Sequence, residues 1–312
     1  MKKVLVIGGS GFVGLSLIPV LQKAGHEVTV LNRGNRPISN ANQIVADRND
    51  VGQMCNKATS FDVVIDTSAY TKEQAEIALL AFGPSVKKWI HLSSAAVYRE
   101  TPGRFPDETD AIGGAQIWGQ YGRDKSAADK YLLAKTSLPV IILRPPYLYG
   151  PNNAYDRETF IWARAISGRP IIVPSDGTTQ IQFLHVHDLA AIFQHFVENE
   201  YSENAVYNIA APRVLNTKSW ARDLAELTNT EFDIISGQIH AADVSARSYF
   251  PFRDYDCALD TNKLTDQLDW KPFLSFQEGF KQTLSSYDLS KLMKMSPSTN
   301  AELQIISNIH KQ

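Results

Sequence analysis

The sequence predicts an α/β fold, a doubly wound parallel sheet with a smaller C-terminal α/β lobe for the substrate. Three observations carry this. Short β-branched runs alternate with helix-period segments through the first half of the chain, and strand candidates such as Val63-Val64-Ile65 and Val140-Ile141-Ile142-Leu143 are apolar on both faces. A glycine-rich turn also joins the first strand to the first helix. The length of 312 residues suits about two domains, and 44% hydrophobic against 21% charged residues supplies a core and excludes general disorder.

The strand at 3–7, the helix at 12–24 and the strand at 27–31 form an opening βαβ unit. Further strands are expected at 43–46, 62–65, 88–92 and 139–143, with helices at 72–82 and 121–135. After Tyr149-Gly150-Pro151-Asn152-Asn153 the alternation fades, which marks the start of a second lobe. The stretches 181–191 and 205–210 are expected to rejoin the first sheet. The dinucleotide domain is therefore 1–150 plus about 185–212, the substrate lobe 151–184 plus 213–285, and 286–312 a terminal extension.

Composition narrows the function. Thirty-one basic residues against 33 acidic ones give a net charge of −2, which provides no positive field for a polyanion, so nucleic acid is not an expected partner. Cys55 and Cys257 stand far apart without a CxxC, so neither a disulfide framework nor a zinc site is expected. The first apolar run breaks at Gly8-Gly9, too short for a signal-peptide core, and none reaches the 18 residues of a membrane span. No membrane partner and a cytoplasmic location are the expectations.

Gly8-Gly9-Ser10-Gly11-Phe12-Val13-Gly14 lies between the first strand and first helix, the context in which GxGxxG binds a dinucleotide pyrophosphate. Glycine allows a tight turn and close approach of the anion, and the freed N–H groups face it. All seven residues are candidate cofactor contacts in a Rossmann-type fold. An acid at the end of the second strand would select NAD; here Asn32 and Arg33 occupy that place, followed by Arg36, so the cofactor is NADP or NAD with a lean to NADP. Asp47 is placed to accept from adenine, and Ser68 is a further cofactor candidate.

Tyr121 and Lys125 are four apart on one helix face. Three such pairs occur, with Tyr131/Lys135 and Tyr287/Lys291, so spacing alone selects none. Tyr121 begins its helix and follows the strand-end serine Ser94. With the glycine motif, Ser93-Ser94-Ala95-Ala96-Val97-Tyr98, Tyr121-Gly122-Arg123-Asp124-Lys125, Leu143-Arg144-Pro145, and Phe183 through Ala190, the chain resembles the extended short-chain dehydrogenase/reductase family, the NAD-dependent epimerase/dehydratase group.

That resemblance implies an NAD(P)-dependent enzyme with Tyr121 as acid/base, Lys125 lowering its pKa and holding the nicotinamide ribose, and Ser94 hydrogen-bonding the reacting oxygen. Lowering a phenol from about 10 to about 7 requires about 4 kcal/mol. An ammonium at about 4 Å in an effective dielectric near 20 supplies about that much. Ser94, Ala95, Tyr121, Tyr147 and Arg253 are the substrate-contact candidates, and the glycine- and proline-containing loop between Ser94 and Tyr121 is expected to touch substrate. A possible homodimer is implied by the family alone.

Dehydrating members carry Asp-Glu after the serine or threonine where this chain has Ala95-Ala96, which leaves epimerisation or ketone reduction of a small-molecule substrate, a nucleotide-linked sugar by resemblance. Ile181 stands where a diphosphate-gripping arginine is expected. These departures are similar to the stem-loop RNA-binding branch of the same superfamily, so a non-catalytic RNA-binding protein is the rival, with an NADP-binding redox sensor as a third reading. His185 and His187 have HxH spacing but no suitable third ligand, so no metal is expected.

Overall fold

The computed structural model describes every residue except 37, 39, 40, 58, 136, 238–243 and 310–312. Strand β1 (Lys3–Ile7) is followed by α1 (Phe12–Lys23), β2 (Glu27–Asn32), β3 (Asn42–Val45), α2 (Val51–Asn56), β4 (Val63–Asp66), α3 (Lys72–Phe82) and β5 (Lys88–Leu92). Then come α4 (Gly119–Lys135), β6 (Val140–Arg144), β7 (Tyr147–Tyr149), α5 (Glu158–Ile166), β8 (Ile171–Val173), β9 (Gln180–His185), α6 (Val186–Glu198) and β10 (Ala205–Asn208). The chain ends with β11 (Val214–Asn216), α7 (Thr217–Glu226), β12 (Ile234–Ser236), α8 (Asn262–Leu268), α9 (Phe276–Ser285), α10 (Leu289–Met295) and α11 (Asn300–Ile309).

Seven strands form one parallel sheet in the order β10-β6-β5-β4-β1-β2-β3. The order reverses between β1 and β4, where Ile7 lies beside Asp66, and an open α/β sheet forms its crevice at such a switch. Side chains alternate across the pleat. Val4 and Val6 join a core with Leu17, Leu21, Leu189 and Phe193, whereas Leu5 and Ile7 join one with Ala75, Leu79, Ala128 and Leu132. Helices α1 and α6 therefore cover one face and α3 and α4 the other, which explains why these strands read as unbroken apolar runs.

The chain divides into two compact units: Met1–Leu148, Leu184–Ala210 and Leu259–Lys271, and Tyr149–Phe183, Ala211–Ala258 and Pro272–Gln312. Three details differ from the sequence reading. Residues 181–185 do not rejoin the large sheet: β9 pairs antiparallel with β11, and Ile181, buried opposite Leu215, is a core residue of the second unit. Segment Leu259–Lys271 packs with the first unit, where Leu264 enters the β1-side core.

The described part of 286–312 is no loose extension. Arg164 on α5 donates through Nε and Nη2 to the two Glu302 oxygens at 2.6 Å each, and through Nη1 to Ser296 Oγ at 2.9 Å, so α5 holds the segment carrying α10 and α11. Weak apolar periodicity hid this because a buried charge pair makes part of the attachment, together with the isolated buried apolar residues Leu292 and Ile305.

Candidate functional site

A cleft of about 580 Å³ opens at the switch point, lined by the glycine turn, the ends of β2 and β3, and the turn after β4. Its residues include Gly8, Ser10, Gly11, Asn32, Arg33, Arg36, Asp47, Arg48, Ser68 and Tyr70. Gly8 has φ +91° and its N–H donates to the Leu31 carbonyl at 3.0 Å. A Cβ there would stand 2.5 Å from Ser68 Oγ, so Gly8 is required both by backbone conformation and by the approach of the β4 turn. Gly14 lies so close to the Gly9 carbonyl that any side chain would collide with it, which lets α1 pack tightly against β1.

Gly11 caps α1 without a side-chain bond, and the first turn, starting at Phe12 and Val13, carries no acid. Nothing lies within 4 Å of the place where a Gly11 Cβ would be. A bare helix N-terminus, an open approach and arginines at the β2 end fit the phosphates of a dinucleotide.

The other expected cofactor residues are distributed unequally. Arg33 and Arg36 are exposed along the cleft. Asn32 is buried, and its Oδ1 accepts from Gly34 N at 2.7 Å and Gln43 Nε2 at 2.8 Å, so its side chain shapes the loop that presents those arginines. Asp47 Oδ1 accepts from Asn49 N and Nδ2 at 2.9 and 3.0 Å, a local turn bond at the cleft wall.

Arg48, next along, was not singled out by sequence reasoning. Its Nη1 donates to Asp66 Oδ1 at 2.8 Å and to Ser68 Oγ at 2.6 Å, and its Nη2 to Asp66 Oδ2 at 2.9 Å and the Gln74 carbonyl at 3.1 Å. Asp66 is fully buried; burial pushes its carboxyl up, but the Arg48 guanidinium together with the Ser68 amide offsets this and the group lies below the usual carboxylate range. One signal was available: the acid ends the otherwise apolar run Val63-Val64-Ile65, and a buried carboxylate requires a counter-ion.

The β4 turn leads directly to the expected acid/base residues. Lys125 is buried on α4, and its Nζ donates to the Ala69 carbonyl at 2.8 Å and the Leu92 carbonyl at 2.7 Å. Burial pushes its ammonium down to about 8, opposed by the charges of Asp129 and Asp66. The Tyr70 ring stands 5.0 Å from the same Nζ and 6.2 Å from the Tyr121 ring, which is exposed at the start of α4.

Ser94 lies two residues beyond the end of β5, not on the strand end itself, and caps the next turn, where its Oγ accepts the Ala96 amide at 3.2 Å. The adjoining turn, which includes the buried Ala95, meets the start of α4 closely: a Cβ on Gly122 would stand 2.5 Å from the Ala96 carbonyl. Beneath, Asp129 accepts from Arg144 Nε at 3.0 Å, and Arg144 Nη1 donates to Tyr98 OH at 2.9 Å. Tyr98 donates in turn to Asn208 Oδ1 at 2.6 Å, and Asn208 Nδ2 donates to the Pro106 carbonyl, so this buried network anchors the loop between Ser94 and Tyr121. His91 Nε2 lies 3.6 Å from Asp129, but burial pushes the imidazole down to about 3, so the contact is not an ion pair at neutral pH.

Tyr147 is buried in the first unit, whereas Arg253 belongs to the second. Asp254, beside Arg253, accepts from the hydroxyls of Ser175 and Thr179. His185 Nδ1 accepts the His187 amide at 3.3 Å and caps α6. No cluster of metal-ligating side chains occurs among the described residues, and no helix among them is long and apolar enough to cross a membrane.

The model of the NAD dependent epimerase/dehydratase family matches residues 4–210, two thirds of the chain and all of the cleft. The chain belongs to the NAD-dependent epimerase/dehydratase family. Among curated relatives, it is 30% identical over 308 residues to the chloroplast stem-loop binding protein of 41 kDa b of Arabidopsis thaliana, covering 92% of this chain and 79% of that protein. It is 25% identical to the UDP-N-acetyl-alpha-D-glucosaminuronate decarboxylase of Bacillus cytotoxicus, covering 91% and 97%.

Among solved structures, the UDP-glucose 4-epimerase of Thermotoga maritima with UDP-glucose aligns with a TM-score of 0.75 at 21% identity, covering 91% of this chain and 98% of that one. The Thermus thermophilus UDP-glucose 4-epimerase complex with NAD aligns at 0.71 and 20% identity, with the same coverage. At these identities the structures establish the shared fold.

Proposed function

We propose that this chain is an NAD(P)-dependent oxidoreductase that epimerises or reduces a nucleotide-linked sugar, with NADP the preferred cofactor. The observation that carries the reading is the setting of Lys125: a buried ammonium fixed by two backbone carbonyls, beside the same β4 turn that lines the glycine-motif cleft. A buried ammonium whose hydrogen bonds go to two neutral carbonyls is only partly compensated by the more distant charges of Asp129 and Asp66, and a phenol that must lose a proton compensates it further.

The glycine turn and the start of α1 would hold the pyrophosphate, and Arg33 and Arg36 a 2′-phosphate. When bound, the nicotinamide supplies hydride transfer at the substrate carbon. Tyr121 moves the proton at the substrate oxygen, Lys125 stabilises the phenolate, and Ser94 donates to the same oxygen when its hydroxyl turns from its turn contact. The names of the relatives, which include enzymes of UDP-linked sugars, support the substrate class.

The test titrates the purified protein with NADP and NAD, then follows absorbance of the reduced nicotinamide with UDP- and dTDP-linked sugars and their 4-keto forms. Tighter binding of NADP than NAD is expected, with turnover lowered at least 100-fold by Tyr121→Phe and cofactor affinity within about threefold of the parent. Near-normal turnover in that variant removes the mechanism. Binding of neither dinucleotide, together with salt-sensitive retention of stem-loop RNA, would replace the enzymatic reading with the rival one.

A further inference from the structure

Directly behind the cleft-lining Arg48 and Ser68 lies a buried carboxylate that an anion-binding site should avoid. Asp66 ends β4 beside Ile7, one residue before Gly8, and its Oδ1 also accepts from the backbone N–H groups of Ser68 and Ala69 at 3.0 Å each. Ser68 is the residue that crowds Gly8, so the acid lies one side chain away from the expected pyrophosphate seat. Arg48 forks onto both oxygens of Asp66 and reaches Ser68 Oγ with the same guanidinium, itself among the residues lining the cleft.

We propose that Arg48 is a positioning residue for the dinucleotide that acts as the counter-ion of Asp66: it cancels the buried negative charge under the phosphate seat and holds Ser68 against Gly8. The assignment rests on the dinucleotide reading of the cleft. A buried charge left unpaired at this place acts through a medium of low dielectric and is little screened by salt. Repulsion of the diphosphate, more than loss of a brace, is then the effect of removing Arg48.

Other charges face the pair. His91 lies beside Asp66 on β5 and is neutral above about 3; Lys125 approaches from α4 and titrates near 8; Arg33, Arg36 and Asp47 stand along the cleft wall. In an Arg48→Met variant Asp66 loses the partner that holds its carboxyl down, and burial then shifts it up toward protonation as the pH falls.

The experiment measures NAD affinity by the change in tryptophan fluorescence for the full chain and for Arg48→Met, Asp66→Asn and the double variant, from pH 5.5 to 7.5. NAD is the probe because its diphosphate keeps its charge over that range. Arg48→Met should weaken binding at least tenfold at pH 7.5 and recover as pH falls. Asp66→Asn should bind as tightly as the parent or tighter, and the double variant should return to within about threefold of it.

Equal weakening by Asp66→Asn and Arg48→Met, with no recovery in the double variant, would make the pair a brace and overturn the counter-ion assignment. Should Arg48→Met fail to fold, Asp66→Asn alone decides by the direction of its change. A parent chain that binds neither NAD nor NADP fails at the earlier step and removes the dinucleotide reading together with this one.

Discussion

Arg48 in the first unit and Arg164 in the second make the same chemical choice, a guanidinium forked onto a buried carboxylate, in two different settings. Arg164 is wholly enclosed: Nε and Nη2 bind Glu302, Nη1 binds the Phe160 carbonyl and Ser296 Oγ, and Nη2 reaches the Pro297 carbonyl at 3.4 Å. Arg48 uses its four terminal N–H groups, but its buried Nε has no partner among the described residues, and the residue lines an open cleft. A closed, fully satisfied pair serves to join distant parts of the chain; an incompletely satisfied one beside a cleft costs stability and stands where a bound ligand can act on it.

The largest effect should come from breaking the closed pair. Arg164→Met leaves Glu302 buried and unpaired and detaches the α10–α11 segment, at a cost of about 3–5 kcal/mol. A thermal melt should show a large fall in Tm, while dinucleotide affinity of the folded fraction stays within about twofold of the parent. If instead the melt is unmoved, the C-terminal segment is held by its apolar contacts and the comparison with Arg48 loses its basis.

Glu158 sharpens the contrast, because it is a buried carboxyl without an arginine fork. Its Oε2 accepts from Asn153 Nδ2 at 3.2 Å and its Oε1 has no partner among the described residues, and burial pushes the group up to about 7. A folded-state pKa above the unfolded value of about 4.5 means that the native chain binds the extra proton, so stability falls as pH rises from about 4.5 to about 7 and stays reduced above. Glu158→Gln should remove that slope and stabilise the chain at pH 8 by up to about 3 kcal/mol, read as a higher Tm at pH 8 and little change at pH 4.5. An unchanged slope would place the pH sensitivity elsewhere.

The same distinction explains what could be read from the sequence. The parallel sheet was legible because Val4-Leu5-Val6-Ile7 and Val140-Ile141-Ile142-Leu143 must be buried on both faces, and the glycine turn because Gly8 and Gly14 answer to steric demands local to a few residues. Tyr121 and Lys125 were legible as a spacing on one helix. Arg48 with Asp66 and Arg164 with Glu302 were not, since the partners are 18 and 138 residues apart and neither residue announces its mate. Strand β9 was misassigned for a related reason: an apolar run states that it is buried, but not against which sheet.

A smaller perturbation of the second unit separates charge from packing there. Asn216 caps α7: its side chain accepts the Ser219 amide at 2.7 Å, and Ser219 Oγ accepts the Asn216 amide at 3.1 Å. Helix α7 carries Trp220, whose ring is stacked on Phe183 at 6.0 Å with the planes 8° apart. Asn216→Ala should cost about 1 kcal/mol, since the capping bond is lost while the aromatic layer still fixes the helix. A fall in Tm as large as that of Arg164→Met would mean that the aromatic layer depends on the cap, and the stability of this unit would then belong to α7 rather than to the closed ion pair on α5.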